Sequence, residues 1–226
     1  EVGVHHGGVA APDHLHQRAD LVADADLREA RGPRQPRGRR LMRRMAVAVD
    51  EDDGTSDPGV GTGTSLREAI NRANTDGVNS EIVFNEAVFA APRKTITLNG
   101  TPLPTLVADG PLFNRTLLIQ APPAGVEISG NNTSRIFSLN QVAQVTLKGL
   151  TLRNGNAQGG SGGAIYNWGL LLLDSCTLES NSAAQGGAIH SATGPFYPLT
   201  LRNCTLSGNT STSWGGAIYN DDGEAF

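Results

Sequence analysis

Five side chains in the regular C-terminal part of the chain could carry chemistry: Arg153, Asp174, Glu179, His190 and Arg202. Hydrolysis of a glycosidic bond needs two facing carboxylates, one to protonate the leaving oxygen and one to attack or to activate water. Elimination from a uronate needs a basic side chain together with acidic ligands for calcium. These residues fit neither requirement. Lys148, Asp174 and Arg202 recur at equivalent outward positions, 26 and 28 residues apart. This spacing predicts a solvated row of ion pairs worth about 0–1 kcal/mol per pair. His190 shares a column with Tyr166 and Tyr219 on the outward parity, so a surface histidine is expected there rather than a general base. A lone imidazole without an HxH or HExxH partner makes no metal site. Asp50, Asp52, Asp53 and Asp57, and near the end Asp221, Asp222 and Glu224, offer oxygen ligands. Their spacing matches neither an EF-hand loop nor a nonapeptide calcium repeat, so solvated turns are expected. No catalytic residue, cofactor or metal is assigned.

The elements that hold these residues are repeated. GGAIYN occupies 162–167, GGAIHS 186–191 and GGAIYN again 215–220. Each is preceded by a related segment: VTLKGLTLRNGNA from Val145, LLLDSCTLESNSA from Leu171 and LTLRNCTLSGNTS from Leu199, starting 26 and 28 residues apart. Short alternating strands separated by Gly/Asn turns at this period describe the coil of a β-solenoid, here with three strands per coil. Leu171 and Leu173 alternate with Leu172 and Asp174, which puts one set inward and the other outward. In the hexapeptides, Gly162–Gly163, Gly186–Gly187 and Gly215–Gly216 form a corner, and Ile165, Ile189 and Ile218 open the next strand facing the core. Asn167 and Asn220 share the inward parity at the strand end, where an amide can satisfy backbone groups left by the bend. Cys176 and Cys204 fall in one core column, where parallel neighbours point the same way; stacked free thiols are expected.

The N-terminal part is a different kind of sequence. Residues 1–45 hold 9 Arg against 6 acids, a net of +3, and residues 46–226 hold 9 Lys/Arg against 16 acids, a net of −7, together −4. Residues 1–45 show no strand alternation and read as a disordered basic leader; nucleic acid is not an expected partner, because no aromatic interleaving accompanies the arginines. Ala46–Val49 suits a first strand. Ser65 and Glu68 form a capping box, and Leu66, Ala69, Ile70 and Ala73 line one face of a helix over about 65–75 that caps the solenoid. Residues 81–84, 95–98, 116–119, 126–128 and 135–139 read as strands of earlier coils, for roughly four to five coils over 46–226. There is no apolar run long enough to cross a membrane as a helix.

TSLREAINRAN resembles the CSLREA-type domain found at the start of bacterial secreted β-helix proteins. The triple GGAI, with LESN (178–181) and LSGN (206–209), is similar to the GGA(I/L/V) and FxxN repeats of polymorphic outer-membrane proteins. Thr64 stands in place of the first motif's cysteine, so a disulfide clamp in that loop is not expected. The resemblance implies a right-handed parallel β-helix that is extracellular or at the bacterial cell surface; the sequence stops at DDGEAF, where the family would begin another strand, so a C-terminal truncation is expected. The expected function is a non-catalytic adhesion or cell-envelope module whose partner is an extracellular glycan or another host or cell-surface ligand. The alternative is a fragment of a β-helical polysaccharide lyase or glycoside hydrolase, which would show one long loop carrying convergent charged groups.

Overall fold

The computed structural model of the protein describes residues 42–48, 64–90, 92–107, 115–193 and 197–221. Strand β1 (Met42–Val47) and helix α1 (Leu66–Thr75) come first, followed by a partial coil of β2 (Asn79–Phe84) and β3 (Lys94–Thr97). Full coils then succeed one another. The first is β4 (Leu117–Gln120), β5 (Val126–Ser129) and β6 (Phe137–Leu139), and the next is β7 (Gln144–Lys148), β8 (Leu150–Arg153) and β9 (Ile165–Asn167). After these come β10 (Leu170–Asp174), β11 (Thr177–Glu179), β12 (Ser182–Gln185) and β13 (Ile189–Ser191). The last described coil is β14 (Leu199–Arg202), β15 (Thr205–Ser207), β16 (Thr210–Trp214) and β17 (Ile218–Asn220).

All pairing between coils is parallel, in the sheet orders β1-β2-β4-β7-β10-β14, β3-β5-β8-β11-β15, β6-β9-β13-β17 and β12-β16. This is a parallel β-helix. The alternation seen in the sequence sets its core, because a slip of one residue would turn every leucine to solvent. Met45, Ile82, Ile119, Leu147, Leu173 and Leu201 form one inward column. Ile96, Ile128, Leu152, Leu178 and Leu206 form a second, and Phe137, Ile165, Ile189 and Ile218 a third. Each fully buried member contributes on the order of 1.5–3 kcal/mol.

Two features differ from the sequence expectation. The first strand starts at Met42 rather than Ala46, because the alternation that buries Met45 and Val47 pairs Met42–Val47 with Asn79–Phe84. Residues 42–45 therefore belong to the helix body; the rest of the expected leader lies outside the described residues, as does Val49. The last two coils also have a fourth side, β12 and β16, rather than three strands each. Polar residues of SAAQ and TSTSW carry these strands, so apolar alternation did not reveal them.

Helix α1 packs on β1 and β2 through Leu66, Ala69, Ile70 and Ala73. It is stitched to the neighbouring loop by Arg67, which donates to the carbonyls of Pro102 at 2.7 Å and Thr101 at 3.0 Å. Asn74 does the same, donating to the Thr105 carbonyl and accepting from the Val107 amide.

Candidate functional site

The hexapeptide corners are built the same way three times. Gly162, Gly186 and Gly215 have φ of +68°, +60° and +63°, a conformation that an L side chain rarely adopts. Gly163 and Gly187 are required for a different reason. A Cβ on Gly163 would sit 2.5 Å from the Ser182 carbonyl and closer still to that of Gly187, so the overlying coil excludes any side chain. Gly216 has no such neighbour among the described residues; a Cβ there would meet only the Asn209 carbonyl at 3.7 Å. Ile165 and Ile189 are fully buried and Ile218 is partly so. Asn167 is buried, with its Oδ1 accepting from the Gly169 amide at 3.1 Å and its Nδ2 donating to Ser191 Oγ at 3.0 Å. Asn220, the same position in the last described coil, is exposed. At the start of α1, Ser65 Oγ accepts from the Glu68 amide at 3.2 Å, and Glu68 accepts from the Ser65 amide at 2.6 Å.

A second asparagine corner was legible only as the final letter of LESN and LSGN. Asn181 is fully buried, donates to the Leu152 carbonyl (3.1 Å) and to Asn209 Oδ1 (2.9 Å), and accepts from the Gly155 amide (2.8 Å). Asn209 repeats the pattern one coil on, donating to the Leu178 carbonyl and accepting from the Asn181 amide.

The charged groups are dispersed rather than convergent. Asp174 stands in register with Lys148 and Arg202 and accepts from Arg202 Nη2 at 2.9 Å; that hydrogen bond, with Ser175 and the nearby cations, holds its carboxyl below the usual range. Arg153 pairs with Glu127 at 2.6 Å. Cys176 and Cys204 are free thiols, and burial pushes the Cys176 thiol up to about 11. Among the described residues no three of His, Cys, Asp and Glu gather in a metal-binding group. Asp50, Asp52, Asp53, Asp57, Asp222 and Glu224 lie outside the described residues.

What does converge is aromatic. Ser138, Tyr166, His190 and Tyr219 form one outward column across β6, β9, β13 and β17. Ring centroids are 5.3 Å apart from Tyr166 to His190 and 5.1 Å from His190 to Tyr219. Trp168, just past the end of β9, lies 6.0 Å from Tyr166, and Trp214, at the end of β16, stacks on Tyr219 at 5.8 Å. Arg135 caps the row with its guanidinium 5.0 Å over the Tyr166 ring. Both tryptophans of the chain and two of its three tyrosines thus share one flank.

His190 is not a surface residue. Its parity is outward, but the rings on either side cover it, leaving it 5% exposed with neither ring nitrogen hydrogen-bonded among the described residues. Desolvation between the rings lowers its pKa, opposed by Asp221 and reinforced by the Arg135 cation. The signal for this burial was the presence of Tyr one coil below and one coil above. Trp168 and Trp214 were not singled out, because they sit at different corners and share no repeat column.

Residues 203–221 match the Chlamydia polymorphic membrane protein repeat. The matched stretch runs through β15, β16 and β17 and includes Asn209, Gly215 and Gly216. With the parallel β-helix, this identifies the architecture. The chain is a parallel β-helix repeat protein with one stretch similar to the polymorphic membrane protein repeat. A repeat of this kind points to a protein of the cell surface or outer membrane. No curated protein and no solved structure gives a match. Among the described residues no helix is long and apolar enough to cross a membrane, which leaves β-barrel segments untouched.

Proposed function

We propose that this protein is a non-catalytic secreted or cell-surface β-helix module that works in adhesion, with the aromatic flank as its adhesive face. One observation carries the proposal: Trp168 and Trp214 are 42% and 59% exposed beside Tyr166, His190 and Tyr219. Large aromatic side chains left in water on one flank mark an interaction surface, since isolated exposed apolar groups are scattered elsewhere on proteins. The β-helix suits that role. Its stacked coils fix the ring spacing, so little order has to be gained on binding. The carboxylates Glu127 and Asp174 are committed to Arg153 and Arg202, which favours binding over acid–base chemistry.

The test uses fluorescently labelled protein on cultured animal cells, read by flow cytometry. Trp168→Ala with Trp214→Ala should reduce cell binding at least about tenfold, as expected for loss of hot-spot aromatics. Both residues are exposed, so circular dichroism should be unchanged. Equal binding by the wild type and the double variant would show that adhesion does not use this flank.

A further inference from the structure

The aromatic flank ends at a cleft. Among the described residues, Gly100, Pro102, Ser134, Arg135, Asn156 and Gln158 help line a space of about 150 Å³. Ser134 is 3% exposed, and its buried hydroxyl has no hydrogen-bond partner among the described residues. A buried hydroxyl in that state costs free energy unless something enters to pair with it. Arg135 belongs to both features: it lines the cleft and covers the Tyr166 ring. It donates through Nε to the Gly162 carbonyl, through Nη2 to that of Ser161 and through Nη1 to Ser138 Oγ. A guanidinium has five N–H donors, so two remain. No carboxylate forms a salt bridge with it among the described residues.

The row and the cleft together set the chemistry of an occupant. From the β6 layer to the β17 layer are three steps of the strand spacing, about 14 Å, long enough for a short run of rings and too long for one small molecule. The rings present apolar faces, while the hydroxyls of Tyr166, Tyr219 and Ser138 provide polar edges. A polysaccharide matches this pattern, because its sugar rings have C–H faces and hydroxyl edges. The uncompensated cation at one end selects a carboxylate, which takes planar guanidinium donors well. Single-stranded nucleic acid also stacks on aromatics, but it needs cations along its whole backbone. Among the described residues one arginine caps the row, on a body whose net charge over 42–226 is −5 (11 Lys/Arg against 16 acids).

We propose that the Arg135–Tyr166–Trp168–Tyr219–Trp214 flank binds a carboxylate-bearing polysaccharide, with sugar rings on the two tryptophans and a carboxylate on Arg135 beside the Ser134 cleft. This assignment rests on the adhesive role proposed above and names its ligand.

The experiment follows tryptophan fluorescence of the full chain during titration with a hyaluronan oligosaccharide. Parallel titrations use the same oligosaccharide with its carboxylates reduced to alcohols, and a mixed-sequence single-stranded DNA. Because the charge is removed from the ligand, the protein's folding is not at issue. The intact oligosaccharide should quench the emission and bind at least about tenfold more tightly than the reduced one, the scale of a lost charged hydrogen bond. Trp214→Ala should weaken it by a similar factor, and Arg135→Lys should keep part of the preference for the carboxylate. Equal affinity for the intact and reduced forms overturns the carboxylate assignment. Tight binding of the DNA with a steep salt dependence overturns the polysaccharide in favour of a nucleic acid. If no saccharide binds but the double tryptophan variant still loses cell binding, the ligand class is wrong and the adhesive face stands. If cell binding is also unaffected, both proposals fall.

Discussion

Replacing Asn181 by alanine tests whether the asparagine corners hold the coils together. The side chain is fully buried and makes three hydrogen bonds: from the Gly155 amide at 2.8 Å, to the Leu152 carbonyl at 3.1 Å and to Asn209 Oδ1 at 2.9 Å. Truncation leaves the Gly155 N–H without that acceptor, at about 1–3 kcal/mol, and removes two further bonds at about 1 kcal/mol each. The expected loss is therefore about 3–5 kcal/mol. That is a large share of the 5–15 kcal/mol typical of folded proteins. Asn209→Ala is the companion variant: its partly buried side chain donates to the Leu178 carbonyl and accepts from both the Asn181 amide and Asn181 Nδ2, so it disturbs the same corner and about 2–4 kcal/mol is expected. Urea unfolding followed by circular dichroism reads the shift in midpoint. Amide hydrogen exchange locates the damage, because repeat proteins can open locally. Asn181→Ala should speed exchange at Gly155 before it affects β2 or β4. If Asn181→Ala costs less than about 1 kcal/mol, the corner is not held by this side chain.

Gly163→Ala should prevent native stacking or cost at least about 3 kcal/mol, since the overlying backbone has to move; a thermal melt against the wild type reads the loss, and one under about 1 kcal/mol counts against the close stacking. His190 has a folded pKa below its unfolded value of about 6.5. The unfolded chain therefore binds the proton first, and stability present above that pH is lost as the pH falls through it toward the folded value. The groups facing the imidazole are Tyr166, Tyr219, Arg135 and Asp221. Melting temperatures between pH 7 and pH 5 should drop further for the wild type than for His190→Phe, which keeps a ring and removes the proton site; parallel slopes count against the buried, unpaired histidine. Cys176, with its thiol pushed up to about 11 by burial, should resist iodoacetamide at pH 8 while the half-buried Cys204 reacts, as peptide mass spectrometry would show. In denaturant the two rates should converge, and a native Cys176 as reactive as Cys204 argues against the stacked core column.

The repeat was readable because a β-helix coil constrains its corners locally. A positive φ demands Gly162, Gly186 and Gly215, and period-2 alternation sends Leu147, Leu173 and Leu201 inward whatever lies around them. Ser65 and Glu68 are close enough in sequence for a capping box to be seen without any fold. The polar strands β12 and β16 were not readable, because their pairing depends on the neighbouring coil rather than on an apolar pattern. The candidate site was hidden for the same reason. The column of Tyr166, His190 and Tyr219 could be aligned from the repeat, yet the burial of His190 depends on the size and tilt of rings one coil away on each side. Arg135, Trp168 and Trp214 come from three different corners, and only the stacking of coils at the strand spacing brings them to the same flank. The sequence by itself determined the coil, its period and the inward face of each strand, since these follow from backbone conformation and side-chain polarity over a few residues. The tertiary structure decided which outward side chains meet, because residues some tens of positions apart become neighbours only through the winding of the helix.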